Sequence, residues 1–203
     1  MTRDEIMQKI EADRRQGKRP DLRRLDMSGL DLSGINMSQA DLHAATMVRV
    51  NLEGANLQGA NVVFVNMTQA KLRGVDLSGA NLVFANLRLA DLRSADLSEA
   101  NLSATNLFGA NLSQARLVEA KLHEANLGET NFTKANLRTA DLRLANLNEA
   151  NLTQADLSAA DLREANLQQA NLHQAKFNQK TQWDSQFDPV MGGATKKKKW
   201  GLF

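Results

Sequence analysis

The chain has 203 residues, 25 Lys and Arg against 23 Asp and Glu, a net charge of +2 and no cysteine, which excludes disulfides, thiolate metal sites and a catalytic thiol. Two Pro, no Tyr and 4% aromatic residues, beside a large excess of Leu, Ala and Asn, do not suit an ordinary mixed core and point to a repeat. No apolar run approaches the roughly 20 residues of a membrane helix, and Met1 opens onto charge rather than a leader, so a soluble, cytoplasmic protein is expected.

The first predicted element is a helix over residues 3–16. Thr2 and Glu5 stand three apart in the pattern of a capping box, Ile6, Met7 and Ile10 make one apolar side, Gly17 sits where the helix stops and Pro20 follows. Residues 1–19 are therefore expected to cap whatever begins at Pro20, with Ile6 and Ile10 facing it.

From residue 20 to 179 the chain reads in fives. Positions 22, 27, 32 and onward to 177 give 32 central residues, all apolar and 25 of them Leu; Asp or Asn precedes 27 of the 32. Ala fills 23 of the 28 positions two before the centre from Ala40 to Ala175. A helix would rotate successive centres by about 140° and form no stripe, while a flat strand would send them to opposite faces. The chain must instead turn between pentads, so that each centre returns to one interior axis. The spacing of 20 between Met27, Met47 and Met67, and between Val63-Phe64 and Val83-Phe84, favours four pentads per coil; three would give echoes at 15, and none is as clear. Met27, Met47, Met67, Leu87 and Leu107 then form one core stack. Glycines early in the repeat, such as Gly29 and Gly54, suit a turn residue with positive φ. Leu25, Leu30 and Ile35 replace small residues and predict a wider or less regular first coil.

The A-(D/N)-L-x-x register from Leu22 to Phe177 resembles the pentapeptide-repeat family. That resemblance implies an all-β solenoid, a right-handed quadrilateral β-helix of about eight four-pentad coils, here with an N-terminal α-helical cap. Eight coils at about 4.8 Å make a rod roughly 38 Å long. Residues 180–203 then form a C-terminal cap, with Trp183 and Phe187 over the last coil, and a basic tail, Lys196, Lys197, Lys198, Lys199 and Trp200, expected to be mobile. The entry through Gly17-Lys18-Arg19 and this ending are similar to those of cyanobacterial members.

No enzyme is expected. His43 and His123 fall on one wall about 19 Å apart, His173 falls on another, and Glu99/Glu119 and Glu129/Glu149 sit on a convex surface without a cleft. Neither a cofactor, a metal nor a small-molecule substrate is indicated. Family members that bind DNA gyrase imitate DNA by strong negative charge; residues 21–179 hold 17 acidic and 14 basic residues, which argues against mimicry and leaves a gyrase-type target as the second reading. The lysine run with Trp200 offers a third, weak attachment to anionic lipid or nucleic acid. What departs from a polar surface is a group of outward apolar residues, Val48, Val63, Phe64, Val83, Phe84, Leu89 and Phe108, a candidate contact for a protein partner. The reading is a rigid, non-enzymatic scaffold, with a regulatory role implied by similarity to cyanobacterial members linked to cell differentiation. A monomer is expected, with the patch leaving a weak dimer open.

Overall fold

The computed structural model describes residues 1–197. It contains helix α1 (Arg3–Arg15), strands β1 (Lys176–Phe177) and β2 (Thr195–Lys196), and, between α1 and β1, a coil that closes every 20 residues. Each Asp or Asn position forms a parallel bridge with the residue 20 further on, from Asp21↔Asp41 to Asp156↔Lys176. The four pentads of a coil thus make four walls. Wall 1 is centred on Leu22 to Leu162, wall 2 on Met27 to Leu167, wall 3 on Leu32 to Leu172 and wall 4 on Met37 to Phe177.

A β-turn at each corner closes the coil. The amide three residues after a centre donates to the central carbonyl, as Ala45 does to Leu42 at 2.9 Å, and the residue before that amide has positive φ. This is the geometry of a type II turn. The positive φ holds at every such position from Arg24 to Gln174, between 54° and 68°, and the closing bond at every corner after the first. The positive φ is therefore not reserved for the glycines. Gln, Glu, Phe, Leu and even the β-branched Thr139 adopt it, although a non-glycine residue there costs about 1–2 kcal/mol. The inter-coil ladder and the buried centres offset that cost.

Central side chains from Leu22 to Leu157 are wholly buried, and the corner alanines are buried beside them. The corner is tight enough that its two threonines need partners: the Thr105 hydroxyl donates to the Leu82 carbonyl at 2.7 Å and that of Thr130 to Leu107 at 2.8 Å. The Asp and Asn side chains hold the turn from outside, nearly all accepting from the amide two residues on, as Asp31 does from Ser33 at 3.0 Å. Some also stack along the rod, the Asn51 amide donating to Asp31 at 3.0 Å and Asn61 to Asp41 at 2.9 Å.

Helix α1 closes the first coil. Thr2 and Glu5 make a reciprocal capping box, and Ile6 and Ile10 are buried on the rod end. Arg3 reaches across to the carbonyls of Asp31 and Ser33, both at 3.0 Å. The first coil is not irregular in its ladder: Leu22, Met27, Leu32 and Met37 each donate to the next coil at 2.7–2.8 Å. Leu25 and Leu30 are taken up by packing, partly buried against the core.

The far end departs from a free basic tail starting at Lys196. After Phe177 the chain winds an irregular ninth turn. Gln182 pairs with Asp161, one residue out of the 20-residue phase, and β2 pairs in parallel with β1. The Lys197 amide donates to Phe177 at 2.8 Å and its Nζ lies 2.7 Å from Asp156. Trp183 stands edge-on to Phe177 at 5.8 Å and stacks on Phe187 at 5.3 Å, both packed against the core. Lys198, Lys199 and Trp200 lie outside the described residues.

Two leucines of one pentad give opposite tests of this geometry. Leu142 is buried, so Leu142→Ala should lower the unfolding free energy by about 2–5 kcal/mol. Leu144 is exposed in a left-handed turn, so Leu144→Gly should leave stability within about 1 kcal/mol, relief of backbone strain offsetting the entropy of glycine. Urea denaturation of both variants checks the pair.

Candidate functional site

The apolar side chains on the outside gather chiefly on wall 1. Phe64 and Phe84 occupy the same turn position one coil apart, 55% and 56% exposed. Their rings stack with centroids 5.1 Å apart and planes within 8°. His43, one coil below, stands edge-on to Phe64 at 5.7 Å. Val63 and Val83 are half-buried beside the rings, in the neighbouring column.

The backbone under these two phenylalanines lies at the long end of the inter-coil ladder. Both hold left-handed φ, 57° and 58°. The amide of Phe84 donates to the next coil over 3.4 Å, the longest bond of its row, and that of Phe64 over 3.2 Å, as at Leu144, against 2.8–3.1 Å at the other turn amides that pair in this way. Gln, Gly and Glu fill most of this column type elsewhere. A stacked pair of exposed rings is thus held where the fold favours small or flexible residues.

The remaining patch residues lie on wall 2 and divide. Leu89, 46% exposed, covers Gly109, where a Cβ would stand 2.8 Å from its Cδ2. Phe108 lies over Gly128, where a Cβ would stand 3.1 Å from its ring, and the Arg88 guanidinium sits 5.6 Å from the Phe108 centroid. Each side chain thus rests in space left by a missing Cβ. Val48 shares the column of Arg88 and Phe108 but is separated from Phe108 by Thr68 and Arg88, so it stands apart. The contact of His43 with Phe64 escaped sequence reasoning; the 20-residue spacing of positions 43 and 63 was the available signal.

Charge on wall 1 is concentrated at its ends and largely paired. The sequence D-L-R builds a fork within one pentad: Arg23 holds Asp21 at 2.9 Å through both Nε and Nη2, Arg143 holds Asp141 at 2.8 and 2.7 Å, and Arg163 holds Asp161 at 2.9 and 2.6 Å. On wall 3, Arg93 holds Asp91 in the same way. The guanidinium bonded to each carboxylate, aided by the amide of the same arginine, holds Asp21, Asp91, Asp141 and Asp161 below the ordinary carboxylate range against a smaller upward push from burial. Between the ends, Asn61, Asn81 and Asn101 replace the aspartates.

Elsewhere the surface is open. A groove of about 560 Å³ at the edge of walls 3 and 4 is lined by Lys134, Asn136, Gln154, Asp156, Gln174 and Lys176. Its carboxylate, Asp156, is pushed up by burial but brought below its ordinary range by Lys197 and Ser158. Among the described residues no three His, Asp or Glu side chains gather as metal ligands would, and no helix is long and apolar enough to cross a membrane. His123 pairs with Glu124 at 3.2 Å, and His43 and His173 lie on different walls.

A profile of the family described as pentapeptide repeats matches residues 35–74, 70–107, 100–138 and 140–179, in eight copies. The structure is similar to that of HetL, a pentapeptide repeat protein involved in heterocyst differentiation regulation from the cyanobacterium Nostoc sp. strain PCC 7120. The two are 28% identical over 96% of this chain and 92% of that chain, with a TM-score of 0.73. A pentapeptide repeat protein of the same cyanobacterium, alr5209, is 36% identical over 53% of this chain and 84% of that one, TM-score 0.36. QnrB1, a plasmid-mediated fluoroquinolone resistance protein, is 17% identical over 81% and 89%, TM-score 0.41. No match is found among curated protein sequences.

The forks carry a pH dependence. A carboxylate whose pKa is lower in the folded chain than its unfolded value near 3.9 stabilises the fold above that value and loses the contribution as pH falls through its folded pKa. Thermal midpoints should therefore be flat near neutrality and fall below about pH 4. Arg143→Gln should shallow that acid limb; an unchanged limb in the variant would contradict the assignment.

Proposed function

The chain belongs to the pentapeptide-repeat family, and from that premise we propose that it is a rigid, non-enzymatic scaffold in the cytoplasm, whose wall 1 presents the stacked Phe64–Phe84 pair to a protein partner. The observation that carries this reading is the exposed ring pair, kept in left-handed turns with lengthened ladder bonds. The setting supports a contact made by apolar burial: the rings are flanked by valines and asparagines, with the ion-paired forks kept to the ends of the wall. The likeness to HetL supports a regulatory role exercised by contact, at the level of analogy.

Imitation of DNA fits less well. On walls 1 and 3 the carboxylates of Asp91, Asp141 and Asp161 are each paired with an arginine of the same pentad, where a DNA-like surface needs one negative charge about every 1.7 Å. Attachment to an anionic membrane through the terminal lysines has lost part of its basis, since Lys197 is engaged with Asp156 at the rod end.

Phe64→Gln with Phe84→Gln tests the reading, because Gln39, Gln69 and Gln114 already adopt the same turn conformation. The double variant should melt within a few degrees of the parent and lose the protein partner retained by the parent in affinity capture from its native cell extract. Retention of that partner by a folded double variant would remove the ring pair from the contact.

A further inference from the structure

Wall 1 is complementary to itself when turned end for end. Its outermost column, read away from the helix, runs Arg24, Ala44, Phe64, Phe84, Ala104, Glu124, in register at one residue per coil. Reversed about the midpoint between the rings, Phe64 meets Phe84, Ala44 meets Ala104, and Arg24 meets Glu124. The leading column runs from Asp21 to Lys121, and the same reversal sets these opposite charges together. A two-fold axis lying in the plane of the wall along its strand direction performs this operation, because it inverts the order of coils while leaving each column facing itself.

We infer that this wall docks a second copy of the chain, antiparallel and overlapping over the first six coils. The inference rests on the proposed role of the ring pair and names its occupant. The charges that the reversal matches are available. Arg24 and Lys121 have no carboxylate partner among the described ion pairs, and Glu124 touches His123 of its own turn. Asp21 keeps its fork with Arg23 and lies beside the approaching lysine. The small side chains of Ala44 and Ala104 on either side of the rings let the two walls close, and His43 comes opposite Ser103. Arg23 opposite His123 is the one juxtaposition of two basic groups.

Six coils span about 29 Å, and the roughly three extended residues between the corners of a wall span about 10 Å. An overlap of that size falls below the roughly 1,200 Å² of a stable interface, so the dimer is weak and concentration-dependent. Each charge pair occurs twice by symmetry, which makes reversal a sensitive probe.

Sedimentation equilibrium of the full chain, from micromolar to millimolar concentration, should show a monomer–dimer equilibrium. Glu124→Arg or Arg24→Glu alone should weaken it at least about ten-fold, and the two together should restore it. Phe64→Gln with Phe84→Gln should abolish it, while thermal melting verifies that every variant is folded. A monomer at all concentrations, or a dimer indifferent to the charge reversals, would overturn the inference. If the parent is monomeric yet the double Gln variant still loses a captured foreign protein, the self-pairing fails and the ring-pair reading stands. If capture is equally unaffected, both fail.

Discussion

Everything in this rod depends on a left-handed turn residue recurring every fifth position. Without it the chain could not turn a corner in so few residues, and successive leucines would diverge. With it, each coil closes in 20 residues and the next lies directly above, so that backbone amides find carbonyls one coil away and central side chains find each other. Burial of a leucine contributes about 1.5–3 kcal/mol, which exceeds the cost of a strained non-glycine turn residue in the same pentad. The balance is local and repeated. That is why so many bulky and charged residues are tolerated at positive φ.

The turn also explains the division between what is fixed and what is free. The centre and the preceding corner are buried, and only Leu, Met, Val, Phe and small residues fill them from Met37 to Ala160. The other three positions face outward or hold the turn. One of these is restrained by the hydrogen bond its Asp or Asn accepts from the amide two residues on. The remaining two accept many residue types, and side chains there line up in vertical columns on the walls. Wall 1 uses them to set paired charge at its ends and apolar rings in its middle.

Sequence made the inward half of the molecule readable because burial restricts residue type at an unvarying period. The centres, the corner alanines, the 20-residue echo of the methionines and the Thr2/Glu5 cap all carry that kind of signal. Glycine at Gly29 or Gly54 suggested a special turn residue, yet positive φ is shared by Arg24, Gln39 and Thr139, whose identities give no hint of it. The ninth turn was hidden for a different reason: its bonds run through the backbone of Gln182, Thr195 and Lys197, where no repeated side chain marks them. The outer patch was half legible. Columns follow from the register, but the separation of Val48 from Phe108, and the seating of Leu89 over Gly109, depend on how neighbouring side chains pack.

The seven methionines offer the most direct test of the central claim that every pentad centre lies on one dry axis. Met27, Met37, Met47 and Met67 are centres and wholly buried, whereas Met1, Met7 and Met191 are 49%, 39% and 88% exposed. Oxidation by dilute peroxide under native conditions, read residue by residue by mass spectrometry, should convert the three outer methionines to sulfoxide and spare the four inner ones until the chain unfolds. Oxidation of Met47 or Met67 at the rate of Met191 in the folded protein would contradict the account.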